Sequence, residues 1–263
     1  MNHKSIPNQY ENLSWTEIKN IAEMKRSTII WPFGAIEQHG PHLPLATDTI
    51  FVEEIVRKVL EMMPTDMPLL KIPTQCIGFS PEHLDFAGTL SLSSKVITSI
   101  ILEVGKQLSD IGFKRLIILN AHGGQISLLN TSARELRNIA PSMNVFPCFI
   151  WSGIEGLSNL LTKSEIENGL HASLAETSLM LSLKPDLVGS ERPCEGLSQK
   201  IPEGWSLEGA SPTAWMTSDL SKSGVIGDSR GANVNLGDNL RDLLVKHWYL
   251  MFLNLMSSDW PNN

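Results

Sequence analysis

"STIIWPFGAIEQHGPHLPLATD", residues 27–48, joins two unlike pieces of chain. Residues 27–34 are apolar and β-branched and run out into Pro32 and Gly34, the composition of a buried strand. Residues 37–48 carry two carboxylates, Glu37 and Asp48, and two imidazoles, His39 and His42, set among Gly40, Pro41 and Pro44. Proline and glycine at that density stop both a helix and a central strand. Such a stretch is a solvated polar loop, a set of satisfied turn residues, or part of a metal site. From Asp48 onward, Ile50, Phe51, Ile55, Val59 and Met62 recur at helical spacing, with Asp48 suited to the N-cap or first turn. Strand, ligand-rich loop and helix in that order open a βαβ unit.

The order repeats along the chain. "PLLKIP" (68–73) reads as a second strand, followed by a long loop containing "FSPEHLDFAGT" (79–89) and a helix over 93–112 that Gly112 ends. "RLIILN" (115–120) is a third buried strand running into "AHGGQ", then the helix "ISLLNTSARELRNIA" and the strand-like "NVFPCFIW" (144–151). Upstream, Ser14 and Glu17 have capping-box spacing ahead of a short helix. Downstream, "HASLAETSLMLSLKP" reads as helix, 189–232 as loop, and "NLGDNLRDLLVKHWYLMFLNLM" as a C-terminal helix. Strands alternating with helices give an α/β fold with a mostly parallel sheet covered on both faces. No shift in composition marks a boundary, so residues 1–263 are expected to form one domain.

Composition narrows the partners. A net charge of -7, with no Lys/Arg cluster longer than two residues, argues against a nucleic acid held through its phosphates. The polar N-terminus lacks a signal-peptide core and no uncharged apolar stretch reaches spanning length, so a cytoplasmic protein with no membrane partner is expected. Cys76, Cys148 and Cys194 form no CxxC pair and are expected to be buried as small apolar residues, leaving any metal to His and carboxylate ligands.

In parallel α/β sheets, ligands bind beyond the carboxyl ends of the strands. The loops after the first three strands carry Glu37, His39 and Asp48, then Glu82 and His83, then His122. Glu37 and His39, two apart in an extended segment, leave on one face. A carboxylate, an imidazole and a second carboxylate suit Zn, Mn or Fe, and Asp48 could bridge two ions with its two oxygens. Gly123 and Gly124 let backbone approach an ion or substrate closely. A structural role suits His42 between Pro41 and Leu43, and His3 and His247 are read as surface or hydrogen-bonded residues.

With these residues in view, "EQHGPHLPLATD", "NAHGG" and "HASLAETS" together resemble the creatininase (creatinine amidohydrolase) family, in order over about residues 14–190. The resemblance implies a three-layer α/β/α sandwich, two divalent metal ions, a homo-oligomer (a hexamer) and cleavage of a C–N bond in an amide. It implies Glu37, His39, bridging Asp48 and His122 as ligands. Members acting on creatinine carry a glutamate two residues after the ligand histidine, where this chain has Gly124. Glu176 is the candidate for that missing carboxylate, a helix-surface acid being the alternative. His171 matches a histidine at the reacting amide, where it would protonate the leaving nitrogen after attack by a hydroxide held between the ions. Glu82, His83, Gly123 and Gly124 are candidate substrate contacts, and Trp151, Trp205 and Trp215 a candidate flat wall, with core or interface packing the default for each tryptophan. The substrate expected is a small cyclic or open-chain amide such as creatinine or a formamide. A short peptide, or a non-catalytic protein whose metal only ties loops together, is the alternative.

Overall fold

The computed structural model describes residues 8–196, 200–209 and 211–261; His3 lies outside them. Ser14 caps the first helix, α1 (Trp15–Ala22), in the expected box, its backbone N–H donating to Glu17 at 2.9 Å. The elements then alternate as β1 (Thr28–Phe33), α2 (Thr47–Met62), β2 (Leu69–Lys71), α3 (Ser94–Ile111), β3 (Arg115–Asn120), α4 (Ile126–Ile139) and β4 (Asn144–Phe149). Short helices α5 (Leu157–Leu160) and α6 (Lys163–Asn168) lead to α7 (Leu174–Leu183). The segment expected to be loop holds β5 (Cys194–Glu195), α8 (Thr217–Leu220) and β6 (Gly227–Asp228), with β5 and β6 antiparallel, and α9 (Val234–Ser257) follows. Gly112 ends α3 at φ 119°, a left-handed conformation that glycine adopts without strain.

The main sheet has the order β2-β1-β3-β4 with every pairing parallel. Side chains alternate between its faces, which explains why the strands read as continuous apolar runs. Ile29, Trp31, Phe33, Leu70, Leu116 and Ile118 pack on α1, α3 and α4, while Ile30, Leu69, Ile117 and Leu119 pack on α2, α7 and α9. Two cores sandwich one sheet, so the molecule is a three-layer α/β/α sandwich. Pro32 fits a central strand because β2 has ended by then: the last β1–β2 register pair is Ile30 with Lys71. Past that pair Pro32 only accepts on that side, from the Gln75 N–H at 3.0 Å, so its missing N–H breaks no ladder pair.

Two expectations fail. Cys76 and Cys194 are exposed, against expectation, while Cys148 is half-buried and packs against the core. β4 stops at Phe149, and Trp151 leaves the strand to pack edge-on against Phe51. His247 stacks edge-on against Trp248, in keeping with a structural role.

Candidate metal centre

Loops leaving β1, β2 and β3 converge at the carboxyl edge of the sheet, and the turn before α7 joins them. Glu37, His39, Asp48, His83, His122 and His171 are all buried there. The four histidines are each pinned by backbone or a neighbouring polar group. The Asn120 side chain holds the His122 backbone at both ends, accepting from its N–H (2.9 Å) and donating to its carbonyl (2.6 Å). Gln125 braces Asn120 in turn and ties it to the Gly34 carbonyl.

Asp48 lies in the first turn of α2 and turns its two oxygens to different imidazoles. Oδ1 is 3.5 Å from His39 Nε2, and Oδ2 is 3.5 Å from His122 Nδ1. Glu37 Oε1 is 3.1 Å from that same His122 nitrogen. Ligand atoms on a tetrahedral ion with bonds of about 2.0–2.1 Å stand roughly 3.3 Å apart, so these spacings match a shared coordination sphere. Both Glu37 oxygens, His39 Nε2 and Asp48 Oδ2 are buried without a hydrogen-bond partner. Orphaned atoms of this kind cost stability unless something else satisfies them. The donor set and the orphaned atoms fit divalent cations.

The outer nitrogens are already engaged. His39 Nδ1 faces the Glu37 carbonyl at 3.2 Å, and His122 Nε2 faces Glu82 Oε1 and the Phe79 carbonyl, each at 3.1 Å. Ligating histidines are oriented by such contacts. Glu82 thus stands behind His122. It fills the space at Gly124, where an added Cβ would collide with Glu82 Oε1.

Glu176, on α7, joins His39 and His171 in a second group of potential ligand atoms lying within 4.8 Å of one another. The chain reaches this position through Ala172, whose φ of 51° is left-handed and whose N–H donates to Glu176 Oε2 at 2.7 Å. A non-glycine residue held this way costs about 1–2 kcal/mol, strain of the sort found at functional sites. It turns both His171 and Glu176 toward one cavity.

Charge in this cluster is strongly coupled. Burial opposes the His39 imidazolium, but the Asp48, Glu176 and Glu37 carboxylates outweigh it and raise its pKa to about 9. Burial likewise opposes a charged His122, and Glu37, Asp48 and Glu82 raise it well above its ordinary value. Burial, with Asp48 and Glu37 adding to it against the pull of His39, lifts the Glu176 carboxyl to about 7. His171 is the opposite case: burial and the charges of His83 and His39 push it well below its ordinary value. His42 bonds Thr177 at 2.8 Å, burial lowers it to about 4, and it lies outside the metal-competent groups.

A cavity of about 410 Å³ opens onto the cluster, lined by Glu82, His83, Gly123, Gly124, His171 and Glu176 on its polar side. Phe149, Trp151, Leu157, Leu161, Leu170 and Trp215 form its apolar wall. Trp205 is 63% exposed and lines a different depression. Glu37, Asp48 and His122 also line this space, and His39 lies against Asp48 beside it. Sequence reading missed Gln38 and Thr217, which bond the His83 ring, and Asn120 and Gln125, which hold the His122 backbone; amides and hydroxyls are not ligand types, and only the position of Gln38 between Glu37 and His39 gave a signal.

Fold and site together define an α/β/α protein with a cation-competent carboxylate and imidazole cluster at the carboxyl edge of a parallel sheet. The family profile described as creatinine amidohydrolase matches residues 11–251, so the chain belongs to the creatininase family of hydrolases, which act on C–N bonds other than ordinary peptide bonds. It is 31% identical over 216 residues to a mycofactocin precursor peptide peptidase of Mycobacterium tuberculosis, covering 80% of this chain and 78% of that one. It is 26% identical over 197 residues to a creatinine amidohydrolase of Pseudomonas putida, covering 68% and 73%. A solved creatinine amidohydrolase superposes with a TM-score of 0.77 at 22% identity, covering 99% of this chain and 100% of that one. Among the described residues, no helix is long and apolar enough to cross a membrane.

Proposed function

We propose that the chain is an amidohydrolase using two divalent ions that share Asp48. The observation carrying this reading is the division of the Asp48 oxygens between His39 and His122, at 3.5 Å each. Glu37, Asp48 and His122 would hold one ion, and His39, Asp48 and Glu176 the other. Solved relatives include a creatininase of Zn–Zn type and one with Mn, and the nitrogen and oxygen donors here suit either metal, or Fe. When bound, such ions polarise the amide carbonyl and make water acidic enough to ionise near neutrality.

The chain's own groups then move the proton. His171 Nε2 donates to the Gln38 carbonyl at 2.6 Å, so the neutral ring leaves Nδ1 bare on the side of Glu37, 3.9 Å away. That nitrogen takes the proton released as water adds to the carbonyl carbon. It returns the proton to the departing nitrogen as the C–N bond breaks, giving a carboxylic acid and an amine. His171 is thus base before it is acid.

The cavity supports a substrate larger than a small cyclic amide. Its size and apolar wall suit an amide joined to a bulky apolar group, such as a bond in a short peptide, and the name of the 31% identical relative agrees. Creatinine is expected to be a poor substrate. The test pairs elemental analysis with hydrolysis: Asp48→Ala should lose both ions, His39→Ala should keep one, and EDTA should abolish turnover of peptides and N-acyl amides. Full metal content in Asp48→Ala would refute the shared ligand. A metal-replete protein inactive on cyclic amides, formamides and short peptides alike would favour a purely structural metal.

A further inference from the structure

Two imidazoles in the cavity, His83 and His171, stack with ring centroids 4.2 Å apart, and both turn a nitrogen toward Glu37 Oε1. Which of those nitrogens carries a hydrogen follows from Gln38. Its side-chain oxygen accepts from the Gly40 N–H at 2.9 Å, and its side-chain nitrogen donates to the Gly224 carbonyl at 3.1 Å. A backbone N–H can only donate and a backbone carbonyl can only accept, so the amide has one orientation. The same Gln38 nitrogen is 2.8 Å from His83 Nδ1. An amide NH₂ cannot accept, so His83 Nδ1 must be the bare nitrogen. In the neutral ring the hydrogen therefore sits on Nε2, 3.4 Å from Glu37 Oε1. The Thr217 hydroxyl, 2.8 Å from the same Nδ1, can only donate to it as well.

The backbone of Gln38 settles the other ring. Its carbonyl lies 2.6 Å from His171 Nε2 and must receive a hydrogen from it, which leaves His171 Nδ1 bare. We infer that Gln38 is a positioning residue that fixes the two cavity imidazoles in complementary states, His83 as a hydrogen donor and His171 as a proton acceptor. His83 then cannot ligate a cation through Nε2. The trio of Glu37, His83 and His171 lies close enough to hold an ion, yet it is the polar wall of the reaction space and not a further metal position. A fixed neutral donor beside a fixed acceptor is what an amide needs, since negative charge grows on its oxygen while a proton leaves the attacking water. This role rests on the amidohydrolase reading, but the hydrogen assignments do not.

Long-range ¹H–¹⁵N spectra of the full chain labelled at histidine, metal-free and loaded with Zn²⁺, test the inference. His83→Asn and His171→Asn would assign the signals. The expected result is a hydrogen on Nε2 and a bare Nδ1 in both rings, with neither ring bound to Zn²⁺. In Gln38→Glu the side chain facing His83 can only accept, so His83 Nδ1 should gain a hydrogen. His171 should stay as it was, because the backbone carbonyl is untouched. A loss of packing alone would not single out one nitrogen of one ring. Wild-type His83 with its hydrogen on Nδ1, a Zn²⁺-bound His83 Nε2, or a His83 Nδ1 still bare in Gln38→Glu would each overturn the inference. Failure of the amidohydrolase reading would show in hydrolysis assays, and failure of this inference in the spectra.

Discussion

Metal binding should expel protons from this site, in a number the structure sets. Without metal at pH 7, His39, with its pKa raised to about 9, is almost wholly charged, and so is His122, raised well above its ordinary range. Glu176, at about 7, is half protonated, whereas Asp48, held far below the usual carboxylate range despite its burial by His39 and His122, is ionised. Coordination requires neutral imidazoles and ionised carboxylates. Filling both positions at pH 7 should therefore release about two and a half protons from the side chains, one from each imidazole and about half of one from Glu176, with any from bound water added to them.

Proton and metal compete for His39. Below pH 9 the ring must be discharged before it binds, so affinity on the His39 side should rise about tenfold per pH unit from 7 to 9 and flatten above that, where the ring is already neutral. Calorimetric titration with Mn²⁺ in non-coordinating buffers of different ionisation enthalpy gives the count directly, as the slope of observed against buffer enthalpy. His39→Gln should lower it by about one proton. Release of fewer than about one proton in wild type would mean the imidazoles are neutral before metal arrives. The account of the buried carboxylates as their charging partners would then be wrong.

Gly124→Ala should push Glu82 off His122 and crowd the imidazole itself, because its Cβ would collide with Glu82 Oε1 and stand 2.7 Å from His122 Nε2; both groups are side-chain ends, so the fold should survive while metal affinity falls about 10- to 100-fold by competition with a chelating dye. Ala172→Gly removes left-handed strain worth about 1 kcal/mol but also a fully buried core methyl worth about 0.8 kcal/mol, so the melting temperature should change little; a fall of many degrees would show that the turn holds no strain to offset the lost packing. Native protein should give two rapidly titrating thiols with Ellman's reagent, from exposed Cys76 and Cys194, and a slow third from Cys148, whose thiol burial pushes up to about 11. Glu195 accepts hydrogen bonds from Ser221, Lys222 and Ser223, which hold its pKa near 2. A depressed carboxylate stabilises above its unfolded pKa and loses that contribution as pH falls through the folded value, so Glu195→Gln should cost about 1–2 kcal/mol in urea unfolding at pH 7 and nothing near pH 2.

The sheet was legible because its strands are buried on both faces. A run such as Ile29, Ile30, Trp31 must satisfy two cores at once, and only a covered parallel strand asks for that composition. Helix ends were legible where a side chain or a glycine does the capping, as at Ser14 and Gly112. Trp151 misled the reading of β4 because an apolar residue that walls a cavity looks like one that fills a strand. The cysteines misled because their usual burial is a statistical habit with no geometric requirement behind it. Ala172 gave no sign at all: a left-handed alanine is imposed by its surroundings, here the bond from its N–H to Glu176.

The site was legible as a set of residues and not as a set of roles. Motif order places Glu37, His39, Asp48 and His122 at one edge, but which nitrogen faces inward is decided by groups such as the Phe79 and Gln38 carbonyls, remote in sequence from the rings they orient. Gly124 makes the point most sharply. Along the chain it reads as a carboxylate lost beside His122; in space the gap is filled, since Glu82, from the loop after β2, comes to 3.1 Å from His122 Nε2 through the volume a side chain at 124 would need. The two positions are mutually exclusive, so a carboxylate can reach this imidazole from either loop but not from both. Glu82 arrives on the outer nitrogen, however, and Nδ1 keeps the face toward Asp48 and Glu37. It orients His122, and under the two-ion proposal the second cation would still want an acid. Glu176, which arrives from α7 beside His39 through the left-handed turn at Ala172, is the carboxylate placed to make up that deficit.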